Sequence, residues 1–459
     1  MEYCLHRLCI EDFSRWFKQP GGRKPLLIRG ARQIGKTTAV RLFAEELNLH
    51  LVELNMEKTW QFEPLIAAEN PVKLVEAIEF ELNTDIEPGN SLLFFDEVQA
   101  TPAILGLLRY FYEEMPGLAV IATGSLLEFS LSEPGFSLPV GRIELYHMGP
   151  FSFEEFLAAL GHQKALNLIN NYSIGDAIPE SFHQKMNQLV KLYSIIGGMP
   201  EAVAVFDKTS NLRDVERVKS GILETFVLDF NKYKGKADIR LLRKVFESLP
   251  LHIGRKVIYS HIDPNYRSGE LSLAVNQLGL AKVLTRVFHS SANGIPLAAE
   301  KNERFFKPLH LDIGLLLSQL NINPIEAEYI DDLNLINQGA LGEQFIGQQL
   351  LHLTPTFRNP ELYYWIREKK ESSAEVDYLH ADGTGRIIPI EVKSGKTGSL
   401  RSLQSFVTEK GSALAIRFNA DFPSIFTEER DTPRGRVSFK LLSLPHYLVG
   451  GIDTYLKSL

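Results

Sequence analysis

The hydrophobic pattern of the first third of the chain predicts three buried strands, each followed by polar residues. The apolar runs cover residues 25–28, 91–95 and 118–122. Continuous apolar runs are typical of strands in a parallel sheet covered on both faces, and the carboxyl ends of such strands form the edge where ligands bind. Residues 38–47 have the spacing of an amphipathic helix. The pattern therefore predicts an α/β domain with a polar site at one sheet edge.

The polar stretch after the first run reads GARQIGKT and fits the phosphate-loop pattern GxxxxGK[ST] between a strand and a helix. Gly30 and Gly35 allow the backbone N–H groups to converge on phosphates at a helix N-terminus. Lys36 would reach the β and γ phosphates, and the Thr37 hydroxyl would complete the Mg²⁺ shell. The motif predicts that ATP and Mg²⁺ are bound by Gly30, Ala31, Arg32, Gln33, Ile34, Gly35, Lys36, Thr37 and Thr38.

The other two strand ends carry candidate catalytic residues. Asp96 would hold Mg²⁺, and Glu97 would polarise the attacking water. Thr123 and Ser125 could sense the γ-phosphate, but hydroxyls at a strand end can equally turn the chain or cap a helix. Arg142 is a candidate arginine finger, the alternative being a solvated loop charge. A finger that acts on a neighbouring subunit would require a homo-oligomer.

Length and composition set the limits of this picture. The chain has 459 residues, so we expect two to four domains. A net charge of -7 does not indicate nucleic acid, although a local basic face can bind it. Cys4 and Cys9 form neither a zinc pattern nor a disulfide framework, which favours a reducing compartment. Since no leader-like segment and no long apolar window occurs, we expect a cytoplasmic protein with no membrane partner.

The middle of the chain predicts helices and a basic surface. Residues 182–205 have the pattern of two helices around a Gly-Gly-Met-Pro break, which contains no Arg or Lys and leaves a sensor from a lid in doubt. Residues 271–288 and the turn at 293–294 resemble a winged helix. Basic residues between 232 and 256 predict a track for DNA phosphates, the alternative being the solvated face of a helical connector. They are Lys232, Lys234, Lys236, Arg240, Arg243, Lys244, Arg255 and Lys256.

The last region combines a predicted helix with strands that carry charges. Glu343 lies on the helix, Asp377 on the next strand but one, and Glu391 and Lys393 share one face of the strand after it. Two carboxylates can bind Mg²⁺ and a lysine can orient water, as metal-assisted phosphodiester cleavage requires. The order resembles the PD-(D/E)xK nuclease-like fold, which would make Glu343, Asp377 and Glu391 metal ligands. The proline before Asp377 is absent, and Glu-x-Lys also occurs on solvated sheet faces.

Five stretches carry a wider family resemblance: GARQIGKT, LLFFDEVQ, IATGS, GRIELYHMGPFSFEEF and YSIIGGMPEAV. Together they resemble the AAA-type P-loop ATPases of the archaeal-type group, whose members carry a C-terminal domain of unknown function. The resemblance implies the roles given above for Lys36, Thr37, Asp96 and Glu97, a sensor at 123–125, and Arg142 as a finger.

The resulting prediction is an α/β P-loop NTPase of AAA type at 1–160 with a helical lid at 161–210. A winged-helix-like connector at 211–334 and a nuclease-like domain at 335–459 would follow. The leading function is Mg²⁺-dependent ATP hydrolysis coupled to DNA binding or processing by the C-terminal domain. The alternative is an ATP-gated switch whose C-terminal domain binds protein or nucleic acid without catalysis.

Overall fold

The fold is described from a computed structural model. It describes residues 7–19, 22–131, 138–139, 141–233, 237–322, 339–367, 374–393, 400–432 and 435–459. Lys234 and Lys236 of the predicted basic track lie outside the described residues. Short 3₁₀ helices occur at Trp60–Phe62, Val98–Ala100, Phe230–Lys232, Leu249–His252, Leu297–Glu300 and His446–Gly451.

The N-terminal domain contains a five-stranded parallel sheet in the order β2-β3-β4-β1-β5. The three apolar runs form its central strands, and β3 and β4 are buried along their whole length because helices cover both faces. This confirms the predicted parallel sheet. The strands are β1 Leu26–Arg29, β2 His50–Asn55, β3 Ser91–Asp96, β4 Ala119–Gly124 and β5 Glu144–His147.

Seven helices accompany this sheet within the described residues. The last of them begins with a capping box, in which the Ser152 side chain accepts from the Glu155 backbone and the Glu155 side chain accepts from the Ser152 backbone. They are α1 Leu8–Phe17, α2 Lys36–Glu46, α3 Glu63–Ala67, α4 Pro71–Leu82, α5 Ile104–Glu114, α6 Leu127–Leu131 and α7 Phe153–Ala159.

The helical region that follows contains the predicted break. The axes of its second and third helices differ by 118°, and the chain turns at Gly197, which has a positive φ of 85°. Among the described residues no single helix is long and apolar enough to cross a membrane; only this bent pair meets the length and composition criteria together. The helices are α8 Gln163–Asn171, α9 Glu180–Ile196, α10 Pro200–Thr209 and α11 Leu212–Asp229.

A helix followed by a β-hairpin is present in the connector, as the winged-helix pattern predicts. The two strands of the hairpin also extend the C-terminal sheet, because β6 pairs in parallel with a strand of that sheet. The predicted boundary at 334/335 is therefore not a boundary of the sheet. The elements are α12 Ile239–Ser248, α13 Tyr259–Ile262, α14 Ser268–Leu280, β6 Leu284–Ser290, β7 Lys301–His310 and α15 Ile313–Gln319.

The C-terminal region completes a mixed eight-stranded sheet in the order β12-β13-β11-β10-β9-β8-β6-β7. The predicted order of helix, strands and helix is present, whereas its assignment to the nuclease-like fold stays a prediction. The elements are α16 Ala340–His352, β8 Tyr363–Ile366, β9 Glu375–Ala381, β10 Ile387–Val392, α17 Arg401–Lys410, β11 Leu414–Asn419, β12 Ser424–Thr432, β13 Gly435–Pro445 and α18 Ile452–Lys457.

One hydrophobic core runs from the first sheet to the second. It includes Ile28 on β1, Met199 at the helix break, and Phe345 on α16. A smaller core on the other face of the first sheet includes Leu27 of β1, as the alternation of side chains along a strand requires. Helix α16 is thus packed between the N-terminal domain and the second sheet.

Candidate functional site

The phosphate loop connects the end of β1 to the start of α2, as predicted. A Cβ atom at Gly30, where φ is 156°, would lie 2.3 Å from the carbonyl oxygen of Met148. Gly35 has a left-handed conformation, with a φ of 81°, and caps α2. Both positions therefore require glycine, and the loop can present its N–H groups at a helix N-terminus.

The Lys36 side chain is buried against its own loop. Its Nζ donates hydrogen bonds to the carbonyl oxygens of Gly30 at 3.1 Å and Ala31 at 2.6 Å. Burial lowers the pKa of Lys36 to about 8. Both acceptors are neutral, so neither of these hydrogen bonds is an ion pair. The ammonium group can therefore exchange them for contacts with an anion.

The predicted strand-end residues meet beside this loop. Asp96 Oδ2 accepts from the Thr37 hydroxyl at 2.8 Å, while Oδ1 accepts from the Thr123 hydroxyl and from the Glu97 backbone N–H at 3.0 Å. Ser125 donates to Glu97 Oε2 at 3.0 Å. The structure thus brings together both predicted acids and both predicted sensor hydroxyls.

This donor set fits the magnesium ion that the motif implies. A hydroxyl and a carboxylate oxygen are the ligand types that Mg²⁺ takes from proteins, so Thr37 and Asp96 would hold it. When bound, the ion would neutralise phosphate charge. Glu97, at the site's edge, would orient a water molecule for attack.

Two residues that the sequence did not reveal also hold the loop. Arg7 is 5% exposed and donates to Glu155, to the Ile34 carbonyl oxygen at 2.9 Å and to the Gly149 carbonyl oxygen at 2.9 Å. Asp229, at the end of α11, pairs with the Arg32 guanidinium at 2.8 Å. An arginine just before the first helix and an aspartate that ends a long amphipathic helix are only weak sequence signals.

Arg32 also connects Asp229 to Glu97, the carboxylate predicted to polarise the attacking water. Arg32 Nε donates to the Ser125 hydroxyl at 3.2 Å, and that hydroxyl donates to Glu97. A cavity of about 170 Å³ beside Arg32 is also lined by Gln99 and Lys232. The end of α11 therefore lies at the nucleotide site, although the sequence placed this helix in the connector and not in the lid.

Arg142, the predicted arginine finger, lies away from the phosphate loop. It precedes β5, whose first residue pairs with Leu26 at the start of β1, whereas the phosphate loop follows the end of β1. Its guanidinium is half exposed and pairs with Glu113 at 2.8 Å. The structure does not bring Arg142 to the phosphate loop of its own chain, because it lies at the opposite sheet edge; a role between subunits stays a prediction.

A buried acidic centre lies between α16 and the second sheet. Its middle is Lys307 on β7, which is 2% exposed and was not among the predicted residues. Lys307 Nζ lies 2.8 Å from Glu343, 2.9 Å from Glu375 and 3.5 Å from Asp377. A single lysine within the apolar stretch FFKPLHL was the signal that could have found it.

The predicted Glu391 and Lys393 lie on the other side of Asp377. Asp377 Oδ2 accepts from the Val392 backbone N–H at 2.8 Å, and Lys393 pairs with Glu391 Oε1. Glu391 Oε2 has no hydrogen-bond partner among the described residues. Lys393 therefore neutralises its neighbour, and the four predicted residues lie in one cluster with Lys307.

The charges of this cluster shift one another. Burial and the Asp377 carboxylate raise the pKa of Glu343 to about 8 and that of Glu391 to about 7. Burial opposes the charged form of Lys307, but attraction to Glu343, Asp377 and Glu375 raises its pKa well above the ordinary value. Within the described residues, no group of three or more His, Cys, Asp or Glu side chains is arranged to hold a metal ion.

The parallel sheet, the phosphate loop and the acids at the ends of neighbouring strands are the features of a P-loop ATPase domain. Residues 22–157 match the family model described as an AAA domain. Two further models, each described as a domain of unknown function (DUF8612 and DUF4143), match residues 187–326 and 338–447. No curated protein matches the chain.

Several solved structures resemble the chain distantly. A Walker-type ATPase of Pyrococcus abyssi is 14% identical, with 69% of this chain and 96% of that chain covered and a TM-score of 0.44. The Orc1 protein of Aeropyrum pernix in complex with DNA is 14% identical, with 70% and 92% covered and a TM-score of 0.29. The RuvB Holliday junction branch migration motor of Thermotoga maritima is 16% identical, with 62% and 90% covered and a TM-score of 0.30.

Proposed function

We propose that ATP hydrolysis at the phosphate loop controls the binding of DNA by the rest of the chain. The observation that carries this proposal is that α16 joins the two centres. Glu343 at its start belongs to the acidic centre, while Gln349 near its end accepts from the Phe153 backbone N–H on α7. Helix α7 also carries Glu155, which pairs with the Arg7 that holds the phosphate loop. A rigid helix with contacts at both ends can transmit a shift at one to the other.

The connection from the loop to α16 consists of short contacts between buried groups. A Cβ atom at Gly35 would lie 3.4 Å from the Pro200 ring, so α10 begins against the phosphate loop. The Gly198 backbone N–H donates to Asp312 at 2.6 Å, and Gln348 donates to the same carboxylate at 3.2 Å. A movement of the loop would therefore displace α10 and, through Asp312, α16.

The basic face of α12 is the proposed DNA contact. Its apolar side is buried, whereas Arg240 and Arg243, one turn apart, are exposed and have no ion-pair partner among the described residues. Lys244 pairs with Asp263, and Lys232 lies 3.8 Å from Asp229. The proposed DNA contact thus contains fewer unpaired basic residues than the sequence predicted.

An ATP-gated switch is favoured over DNA cleavage because Lys307 lies among the carboxylates that a nuclease would use for metal. DNA cleavage by the acidic centre, which the leading prediction allowed, needs Glu343 and Asp377 free to bind a cation. Both instead contact the Lys307 ammonium.

An ATPase assay with and without double-stranded DNA, at two salt concentrations, tests the proposal. We expect stimulation that weakens at higher salt, because DNA binding releases counterions. The Arg240→Glu, Arg243→Glu double variant should lose the stimulation and keep the basal rate. The Arg213→Glu, Arg217→Glu variant makes the same charge change on α11 and should keep both. A basal rate that DNA never alters would contradict the coupling.

A further inference from the structure

The acidic centre contains more carboxylates than a buried region normally tolerates. Glu343 comes from α16, Glu375 and Asp377 from β9, and Glu391 from β10. Asp377 and Glu391 are 8% and 4% exposed. Buried carboxylates are stable only when cations or hydrogen-bond donors compensate them, and in enzymes a divalent ion often does so.

In this protein the compensating cation comes from the chain itself. Lys307 extends from β7 so that its Nζ lies 5.6 Å from the centre of the Tyr364 ring on β8 and within ion-pair distance of Glu343, Glu375 and Asp377. All three contacts are made by one ammonium group. Lys307 therefore lies where the carboxylates from the helix and the strand converge.

The surrounding packing leaves these groups little freedom. Tyr378 donates from its hydroxyl to the Glu343 carbonyl oxygen at 2.9 Å, and a Cβ atom at Gly347 would lie 2.3 Å from that hydroxyl. Helix α16 is thus pressed onto β9, and Glu343 is held next to Lys307. The Val392 N–H fixes Asp377 from the other side.

We infer that Lys307 takes the place of a divalent cation in the acidic centre, so that this centre is a metal-independent structural junction and not a nuclease site. The carboxylate set does not fit a resident metal while Lys307 is present, since an ammonium and a divalent ion would compete for the same oxygens. The inference goes beyond the proposed switch and holds whether or not the chain binds DNA.

Manganese binding tests this inference, measured by electron paramagnetic resonance without nucleotide. The Thr37→Ala background removes the predicted contribution of the phosphate loop. We expect no bound Mn²⁺ in this protein and one Mn²⁺ per chain after the further change Lys307→Met, which leaves an unbranched side chain one atom shorter and removes the charge. Adding Asp377→Asn should weaken that new site by about tenfold or more.

Lys301→Met is the matched control, because Lys301 lies on the same strand and its ion pair is with the exposed Glu303, while its Nζ lies 4.7 Å from the centre of the Phe288 ring; it should create no site. If the Lys307→Met protein folds and binds no Mn²⁺, the inference is wrong. If the Lys307→Met protein does not fold, the test is made on the protein that retains Lys307. In that protein, Mn²⁺ binding or Mg²⁺-dependent nicking of plasmid DNA that Asp377→Asn removes would overturn the inference, and the absence of both would support it.

Discussion

The two centres of this molecule each contain a buried lysine, and the two lysines have opposite surroundings. Lys36 donates only to neutral carbonyl oxygens of its loop, and its pKa is lowered to about 8 by burial. Lys307 contacts three carboxylates, which raise its pKa well above the ordinary value. A buried ammonium whose hydrogen bonds are all to neutral groups can exchange them for a ligand anion, whereas one in contact with three carboxylates already has its partners within the fold.

The largest expected effect is on the rate of ATP hydrolysis and comes from Glu97, in the same site as Lys36. Glu97→Gln should slow ATP hydrolysis by about 10²- to 10⁴-fold, because the amide cannot accept a proton from water. ATP binding should be retained, since Glu97 does not contact the loop's phosphate-binding atoms. Single-turnover hydrolysis and calorimetric binding measure the two separately. An unchanged turnover rate would show that Glu97 is not the base.

Lys36→Ala should weaken ATP binding by about 10²-fold or more, the loss that follows when one partner of a charged contact is removed. The free energy of unfolding should change little or rise, because burying this charge costs stability. Titration of a fluorescent ATP analogue and urea denaturation give the two values. Unaltered affinity would remove the basis for the nucleotide site.

Lys307→Met, unlike Lys36→Ala, should lower the free energy of unfolding. Loss of the ammonium leaves three carboxylates without their partner, and we expect a loss of about 3–5 kcal/mol in the free energy of unfolding. Lys301→Met, which removes a pair with an exposed glutamate, should cost about 1 kcal/mol or less. Urea denaturation in a metal-free buffer compares them. Equal losses would show that the Lys307 cluster contributes no more than a surface pair.

The smallest effect is a pH dependence of ATP affinity. Below pH 8 the Lys36 ammonium is charged and attracts the triphosphate; above its pKa of about 8 the free protein must take up a proton to bind. Affinity should therefore fall by about tenfold per pH unit above pH 8. Binding isotherms from pH 7 to 9.5 measure it. A flat profile would show that Lys36 stays charged throughout.

The sequence predicted the nucleotide site better than the acidic centre, for a physical reason. The positions of Lys36, Thr37, Asp96 and Thr123 follow from local pattern, because each lies at the end of a buried strand or on the adjoining loop. The partners of Arg32 and Lys307 could not be read in this way. Asp229 is 197 residues from Arg32, and the contact depends on how the helices pack.

The same limit applied to the second sheet. The alternation of residues identified β9 and β10, but the hairpin of β6 and β7 was assigned to a separate connector. Pairing between β6 and β8 spans more than seventy residues, and no local pattern specifies it. As a result Lys307, which lies on that hairpin, was not expected near Asp377.

The helix break near Gly197 has a mechanical consequence. Added Cβ atoms at Gly197, Gly198 and Gly314 would lie 2.1 Å from Asp312 Oδ1, 2.3 Å from the Phe151 carbonyl oxygen and 2.4 Å from the Ile196 carbonyl oxygen. At Gly198 and Gly314 the backbone lies directly against another backbone segment, with no side chain between them to deform. The segments around Gly197, Gly198 and Gly314 should therefore move together as a rigid body. Any bending during a catalytic cycle would have to occur elsewhere in the chain.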